Sequence, residues 1–208
     1  MRQLVLPIAT SNEPTFEAFV TGRNAEAVEK LKEVAAGRTQ ETVVYVWGER
    51  GSGRSHLLGS ALRAASHPGR VEIADDVDAL DESGQIALFN RINRIRESPG
   101  THACTLLAAG SAPPAQLCLR DDLKSRLAWG LVYQVHTLSD EEKATCVREE
   151  ATRRGLRIAD DAVAYLLTHV RRDLPTLIAI LAHLDEYSLS RQRPLTLPLM
   201  REALADLG

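Results

Sequence analysis

The 208-residue sequence has few cysteines, few aromatic residues and no long apolar run. Its three cysteines, Cys104, Cys118 and Cys146, are odd in number and lack the spacing of metal ligands, which predicts reduced thiols, two of them buried. No apolar stretch approaches the roughly 18 residues that cross a bilayer, and the apolar stretch near the N-terminus is too short for a secretory signal. These absences predict a cytoplasmic protein without a membrane partner.

A basic excess is also absent. The chain has 25 lysine and arginine residues against 28 aspartate and glutamate residues, and its formal net charge is -3. Non-specific binding to DNA needs a basic surface, so we expect little direct DNA binding. Arg91, Arg94 and Arg96 fall on one predicted helix, and we interpret them as a solvated helix face.

Strand patterns alternate with helical patterns up to about residue 137. The runs "TVVYVWG", "RVEIADD", "ACTLLAAG" and "GLVYQVHTL" have the β-branched, largely apolar character of strands. Helical segments separate the first three runs, and this alternation predicts an α/β fold with a parallel sheet covered on both faces. Glu72 interrupts the second run, and a charge at that position favours an edge strand.

The last third of the sequence has only helical patterns. It opens with Ser139 and Glu142 at the spacing of a capping box, and Gly155 ends the first helix. Further helices follow, with leucine and valine at a periodicity near 3.6 residues. We therefore predict an α/β base over residues 13–136 and a small all-helical lid over residues 137–208.

A glycine-rich segment, "GERGSGRS", joins the first predicted strand to the next helix. It fits the pattern Gly-x4-Gly-Lys-Ser/Thr except that Arg54 stands at the lysine position. Backbone N–H groups of such a loop, with the helix N-terminus behind it, bind phosphate, and Ser55 stands where a hydroxyl ligates Mg²⁺. Arg54 keeps the positive charge, but its planar fork is larger than an ammonium group. The residues predicted to hold ADP or ATP with Mg²⁺ are Gly48, Gly51, Gly53, Arg54 and Ser55.

Two aspartates end the second predicted strand, and a hydrolytic site needs acidic residues at this place. Asp75 would hold Mg²⁺ through water, and Asp76 would orient the attacking water. The alternative is that these aspartates, together with Asp78, cap the next helix.

Several of these segments resemble one known family. They include "WGERGSGRSHLL", "ADDVDAL", "LSDEEK" and "SRLAWGL" with its spacing to the glycine loop. Over nearly the whole chain the sequence is similar to the AAA+ core of the replication initiator DnaA and, more closely, to the DnaA-related Hda regulators. The resemblance implies an AAA+ P-loop base with a reduced parallel sheet and a helical lid. The initiator's separate DNA-binding domain is missing from the sequence, which favours a regulator.

The first twelve residues carry a second resemblance. The segment "QLVLP" is similar to the sliding-clamp-binding peptide at the start of Hda proteins. Gln3 can form a hydrogen bond at the rim of a pocket, while Leu4 and Leu6 fill apolar pockets and Pro7 restricts the unbound peptide. The resemblance implies a clamp-binding peptide within residues 1–12 and the DNA polymerase sliding clamp as a partner. An ordinary frayed terminus is the alternative.

Arg126, in "KSRLAWG", matches the arginine finger of the family. Such a residue enters a neighbour's nucleotide site and stabilises negative charge on the transferring phosphoryl group. The resemblance therefore implies that DnaA is the partner on which Arg126 acts. The alternative is a surface arginine that pairs with Asp121 or Asp122.

Four departures from the family pattern all concern the chain's own nucleotide pocket. Arg54 replaces the loop lysine, Ser111 stands where an aspartate senses the γ-phosphate, and Pro175 stands where a lid arginine contacts nucleotide. In addition, only "SHPGR" separates the helix after the loop from the next strand, where the family has another strand and helix. We therefore expect a degraded pocket, with weakened nucleotide binding and no independent hydrolysis.

The leading hypothesis is a negative regulator of DNA replication initiation. Tethered to the sliding clamp, it would stimulate ATP hydrolysis by DnaA and would have no ATPase activity of its own. One alternative is a self-sufficient P-loop ATPase in which Arg54 substitutes for lysine. Another is a non-catalytic adaptor between an AAA+ partner and the clamp. AAA+ bases commonly associate head to tail, so homo-oligomerisation stays open.

Overall fold

The structure is a computed structural model that describes residues 13–97, 104–170 and 173–206. The chain divides into two compact units, an α/β unit of Glu13–Thr137 and a helical unit that begins at Leu138. We call the first unit the base and the second unit the lid. The predicted clamp-binding peptide lies outside the described residues.

The base contains a four-stranded parallel sheet. Its strands are β1 (Val43–Trp47), β2 (Val71–Ala74), β3 (Thr105–Gly110) and β4 (Leu131–Gln134), in the order β2-β3-β1-β4. Its helices are α1 (Ala25–Ala35), α2 (Arg54–Arg63), α3 (Glu82–Glu97) and α4 (Asp121–Ala128). The predicted α/β fold is confirmed, and the prediction that β2 is an edge strand is also confirmed.

Helices cover both faces of the sheet, as the strand patterns predicted. Val44 and Val46 of β1 pack with α1 and α2 in one apolar layer. Val43 and Tyr45 pack with α3 and α4 in the other, because successive side chains of a strand point to opposite faces. The carboxyl ends of all four parallel strands therefore meet at one edge, where the glycine loop also begins.

The charged residue in the edge strand β2 is held by the neighbouring helix. Glu72 forms an ion pair with Arg91, and a nitrogen of Arg94 lies 3.7 Å from the same carboxylate. The interpretation of the α3 arginines as a freely solvated face is therefore wrong for Arg91. A paired glutamate on β2 also makes this strand a poor template for pairing with another chain.

The lid has a separate apolar core formed by its own helices. They are α5 (Asp140–Arg153), α6 (Asp160–His169), α7 (Leu174–Arg191) and α8 (Leu197–Ala205). The predicted capping box is present, because the Ser139 side chain accepts from the Glu142 backbone and Glu142 accepts from the Ser139 backbone. Pro175 lies in the first turn of α7, where proline costs no helical hydrogen bond.

The predictions about membrane-spanning segments and about the cysteines concern the described residues of both units. No helix among them is both long and apolar enough to span a bilayer. All three cysteines are free thiols, but the expectation that two are buried is wrong, since Cys104 and Cys146 are half-buried and Cys118 is exposed. Burial raises the pKa of the Cys104 thiol to about 11, so this thiol is protonated at neutral pH.

Candidate functional site

The glycine loop connects the end of β1 to the start of α2. Gly51 and Gly53 have φ angles of +84° and +94°, in the left-handed region that favours glycine. A Cβ atom added to Gly53 would lie 2.6 Å from Cε2 of Phe19, so space as well as conformation requires glycine there. The Gly48 N–H donates to the carbonyl of Gly110 at 3.3 Å, which joins the loop to the end of β3.

Arg54, at the lysine position of the loop pattern, has its side chain on the edge of the sheet. One guanidinium nitrogen donates to the carbonyl of Gly110, and another lies 3.5 Å from a carboxylate oxygen of Asp76. Only 11% of the Arg54 side chain is exposed. Its positive charge is therefore compensated by groups of the protein itself.

The two predicted catalytic aspartates lie after β2 but do not cap a helix. Asp75 accepts a hydrogen bond from the Asp76 N–H, and Asp76 has left-handed backbone angles of φ 45° and ψ 48°. The short 3₁₀ turn after Asp76 has no side-chain cap, and α3 is capped by Asp81, which accepts from the Gly84 N–H at 2.7 Å. The alternative in which the aspartates of "ADDVD" cap the next helix is therefore wrong.

A third aspartate, which sequence analysis considered only as a cap, connects this region to β3. Both oxygens of the Asp78 carboxylate accept from Ser111, one from the hydroxyl at 2.8 Å and one from the N–H at 3.1 Å. Burial on its own would raise the pKa of Asp78, but these hydrogen bonds and the charge of Arg54 outweigh it and lower the pKa. Ser111, at the position of a phosphate-sensing aspartate, is thus a hydrogen-bond donor to the chain's own carboxylate.

The residues present fit a phosphate group only in part. The glycine loop and the N-terminus of α2 have the backbone arrangement that binds phosphate, and Ser55 is exposed at the start of that helix. The carboxylate of Asp76 is paired with Arg54, however, and within the described ranges no group of three or more His, Cys, Asp or Glu side chains could hold a metal ion. The loop fits a phosphate, whereas Asp76, the residue predicted to orient the attacking water, is paired with Arg54.

The predicted arginine finger lies in the last turn of α4. Asp121 pairs with Lys124 at 2.7 Å and Asp122 pairs with Arg120 at 2.8 Å, so neither aspartate pairs with Arg126. Within the part of the chain that the structure describes, Arg126 has no ion pair, and its buried Nε atom has no hydrogen-bond partner. The alternative of a surface arginine paired with Asp121 or Asp122 is therefore wrong.

Aromatic rings surround the Arg126 guanidinium instead of carboxylates. Its Cζ atom lies 3.8 Å from the centroid of the Trp129 ring and 5.3 Å from that of Phe89. Arg96 of α3 also lies over the Trp129 ring, at 4.3 Å, and 55% of Trp129 is exposed. Trp129 was not among the predicted site residues, although it is part of the segment "KSRLAWG". An arginine three residues before a tryptophan is the signal that could have identified it.

Five further positions were singled out in the sequence. The clamp-binding residues Gln3, Leu4, Leu6 and Pro7 are outside the described residues. Pro175 belongs to the lid, where it has no side-chain group that could bind phosphate.

The fold is that of the AAA+ P-loop proteins. The structure is similar to domain III of the replication initiation protein DnaA from Thermotoga maritima, with a TM-score of 0.74 and 18% identity over 94% of this chain and 97% of that chain. It is also similar to AMPPCP-bound DnaA from Aquifex aeolicus, with a TM-score of 0.68 and 21% identity over 86% of this chain and 68% of that chain. The Thermotoga maritima RuvB Holliday junction branch migration motor has a TM-score of 0.64 and 12% identity, over 92% of this chain and 71% of that chain.

The C-terminal helices match a known family of lid domains. Residues 140–204 match the family described as Hda, lid domain. The lid is thus similar to the Hda lid domain, and the chain as a whole has a fold like that of DnaA domain III. Both findings agree with the resemblance that the sequence motifs carry.

Proposed function

We propose that this protein is a negative regulator of replication initiation that stimulates ATP hydrolysis by DnaA through Arg126. The observation that carries the proposal is the state of Arg126, which has no carboxylate partner within the described residues although acidic residues lie in the same helix. An arginine that acts on a partner's phosphate must reach it uncompensated. Arg126 meets this requirement.

The chemistry of the proposed step belongs to the partner. Hydrolysis of ATP places negative charge on the equatorial oxygens of the transferring phosphoryl group. An arginine from a neighbouring molecule stabilises that charge and accelerates hydrolysis by about 10³- to 10⁵-fold in known cases. Arg126 would supply this group to the nucleotide of DnaA.

The chain's own pocket is proposed to be degraded. AMPPCP is bound to the Aquifex aeolicus DnaA, so a relative with this fold holds a nucleotide. In this chain Arg54 instead contacts the Gly110 carbonyl and Asp76, and Ser111 donates to Asp78. Nucleotide binding would therefore be weak, and no step of hydrolysis is assigned to this chain.

Recruitment to DNA is proposed to occur through the sliding clamp. The support is the "QLVLP" segment together with a net charge of -3, which disfavours direct binding to DNA. Gln3, Leu4, Leu6 and Pro7 would occupy the clamp pocket. The clamp would then place the base of this protein beside DNA-bound initiator.

The test measures ATP hydrolysis by DnaA in the presence of DNA-loaded clamp and full-length protein. We expect Arg126→Ala to abolish the stimulation, a loss of at least about 10³-fold in the stimulated rate, because the phosphoryl charge loses its donor. Arg120→Ala is the matched control, since Arg120 lies just before the same helix but pairs with Asp122. That control should keep the stimulation.

Other results would favour the alternatives. Equal stimulation by wild type and Arg126→Ala would exclude the proposed mechanism. Binding to DnaA and clamp without any stimulation would indicate an adaptor, and hydrolysis by the chain alone would indicate an ATPase. A double Leu4→Ala and Leu6→Ala variant, which should lose clamp binding but keep an intact Arg126, tests the tether separately.

A further inference from the structure

We infer that Trp129 is a positioning residue for Arg126, and that Arg96 completes an arginine–tryptophan–arginine cluster at the surface of the base. The inference rests on the proposed function, because Arg126 is the group that would act on the partner. Trp129 would not touch the partner's phosphate. It would hold the guanidinium group in the orientation in which that group meets the phosphate.

The backbone places the two side chains together. Arg126 is in the last turn of α4, and the Trp129 N–H donates to the Arg126 carbonyl at 3.3 Å. Residues three apart at a helix end lie on the same side of the helix. The indole therefore lies within 3.8 Å of the guanidinium carbon, measured to the ring centroid.

Stacking on aromatic rings restricts the guanidinium without neutralising it. The N–H groups of arginine lie in the plane of the guanidinium, so a ring over its face leaves the outward edge available for an acceptor. A carboxylate partner would occupy that edge and would have to be displaced. Trp129 and Phe89 can thus orient Arg126 while its outer N–H groups stay available to a phosphate oxygen.

Arg96 contributes a second positive charge at the same place. Its Cζ atom lies 4.3 Å from the Trp129 ring centroid, so two cations share one indole. Two like charges brought together raise the electrostatic potential that an anionic group meets. The cluster therefore attracts a negatively charged group of a partner, such as a nucleotide phosphate.

Packing does not account for Trp129. The side chain is 55% exposed, and the closest charged groups over its ring are the two arginines. A buried tryptophan would stabilise the core. An exposed tryptophan in contact with two arginines mainly restricts the orientations of their guanidinium groups. This difference separates a positioning role from a purely structural role.

The first experiment measures the stack without any partner. We expect the δ protons of Arg126 to resonate upfield in NMR spectra because they lie near the indole ring, and we expect Trp129→Leu to remove that shift. Arg126 protons at ordinary chemical shifts in the wild type would overturn the inference. This arm does not depend on the proposed function.

The second experiment measures stimulated hydrolysis by DnaA as the concentration of this protein is varied. We expect Trp129→Leu to lower the maximal stimulated rate about 10- to 100-fold, as small misplacements of a reacting group do, with an unchanged half-saturating concentration. Trp129→Phe, which keeps an aromatic face, should restore most of the rate. The aromatic variant also guards against a result caused by misfolding of the leucine variant.

The outcomes separate the two proposals. If Arg126→Ala abolishes stimulation but Trp129→Leu leaves the maximal rate unchanged, the positioning role is wrong and the proposed function stands. A raised half-saturating concentration at an unchanged maximal rate would mean that Trp129 contacts the partner, which also overturns the inference. If neither variant changes stimulation, the proposed function fails, and the NMR result alone decides whether the stack exists.

Discussion

Two arginines of the base, Arg54 and Arg126, are in opposite chemical states. Arg54 has a side chain that is only 11% exposed and contacts both the Gly110 carbonyl and the Asp76 carboxylate. Arg126 has no ion pair within the described residues and lies against the ring of Trp129. An arginine side chain thus forms polar contacts within the chain at position 54, whereas at position 126 it has no carboxylate partner among the described residues.

The difference is that groups of the same chain hold Arg54, whereas Arg126 is the arginine that we propose acts on a partner. Arg54 already directs N–H groups at the Gly110 carbonyl and the Asp76 carboxylate, so fewer of its donors are free for a nucleotide phosphate. An arginine without a carboxylate carries its full charge to whatever binds next to it. Substitution of either arginine, or of one of its neighbours, tests this contrast.

The largest effect on folding is expected at Arg54. Arg54→Ala removes a charge-assisted hydrogen bond to Gly110 in a nearly buried place, which typically costs about 1.5–3 kcal/mol of the free energy of unfolding. The pair with Asp76 adds little, since 66% of the Asp76 side chain is exposed. Urea unfolding followed by tryptophan emission measures this, because Trp47 and Trp129, the two tryptophans of the chain, both lie in the base.

Arg126→Ala is the counterpart in the same assay. An exposed stack of a cation on an aromatic ring contributes about 0.5–1 kcal/mol, so the free energy of unfolding should fall by no more than this. Arg54→Ala should in turn leave the stimulation of DnaA intact. Equal decreases in the free energy of unfolding in the two variants would contradict the view that Arg54 stabilises the fold more than Arg126 does.

Much of the fold follows from simple patterns in the sequence. The runs of β-branched residues predict all four strands, and the charged Glu72 within the second run predicts that β2 is an edge strand. In the lid, the capping box at Ser139 predicts where α5 begins. These features depend on local periodicity and on short-range hydrogen bonds, which a sequence records directly.

The site was less predictable because it depends on contacts between distant segments. The substitution at Arg54 was visible, but its bond to Gly110 joins residues 56 positions apart. The link between Asp78 and Ser111 spans 33 positions and was missed for the same reason. Helix α4 was not predicted either, because "DDLKSRLA" is largely polar and short, so its apolar periodicity is weak.

The next effect is expected in nucleotide binding. The planar guanidinium of Arg54 contacts the Gly110 carbonyl and the Asp76 carboxylate at the same time, and a lysine ammonium lacks this geometry. Lysine is also the residue with which P-loops contact phosphate. We therefore expect Arg54→Lys to bind ADP about tenfold more tightly than the wild type, a difference of about 1.4 kcal/mol. Isothermal titration calorimetry with ADP and Mg²⁺ measures the two dissociation constants.

The variant Arg54→Ala distinguishes two reasons why Arg54→Lys would bind ADP more tightly: loss of the internal contacts of Arg54, or a cation placed correctly for phosphate. If breaking the internal contacts is sufficient, the alanine variant should also bind ADP more tightly than the wild type. If a correctly placed cation is required, only the lysine variant should gain affinity. Wild-type binding as tight as that of the lysine variant would mean that Arg54 already serves the nucleotide, contrary to the degraded pocket.

The smallest effect concerns Asp78, whose pKa responds to Ser111 and to the charge of Arg54. The pKa of Asp78 is lowered in the folded chain, since these interactions outweigh the effect of burial. A carboxyl with a lowered pKa contributes stability above its unfolded pKa of about 3.9, and this contribution is lost as the pH falls through the folded pKa. Ser111→Ala removes the hydroxyl donor and should cost less than about 1 kcal/mol at pH 7, because the carboxylate is largely exposed.

The sign of the pH dependence distinguishes this interaction from an ordinary lost hydrogen bond. The gap in the free energy of unfolding between wild type and Ser111→Ala should narrow as the pH falls below about 4, since protonation removes the charge that Ser111 stabilises. Ser60→Ala is the matched control, because the buried Ser60 hydroxyl donates to the backbone carbonyl of His56, which carries no charge. The difference in the free energy of unfolding between wild type and Ser60→Ala should stay constant over the same pH range. A gap for Ser111→Ala that is also constant would mean that the Ser111 hydroxyl does not stabilise the charged form of Asp78.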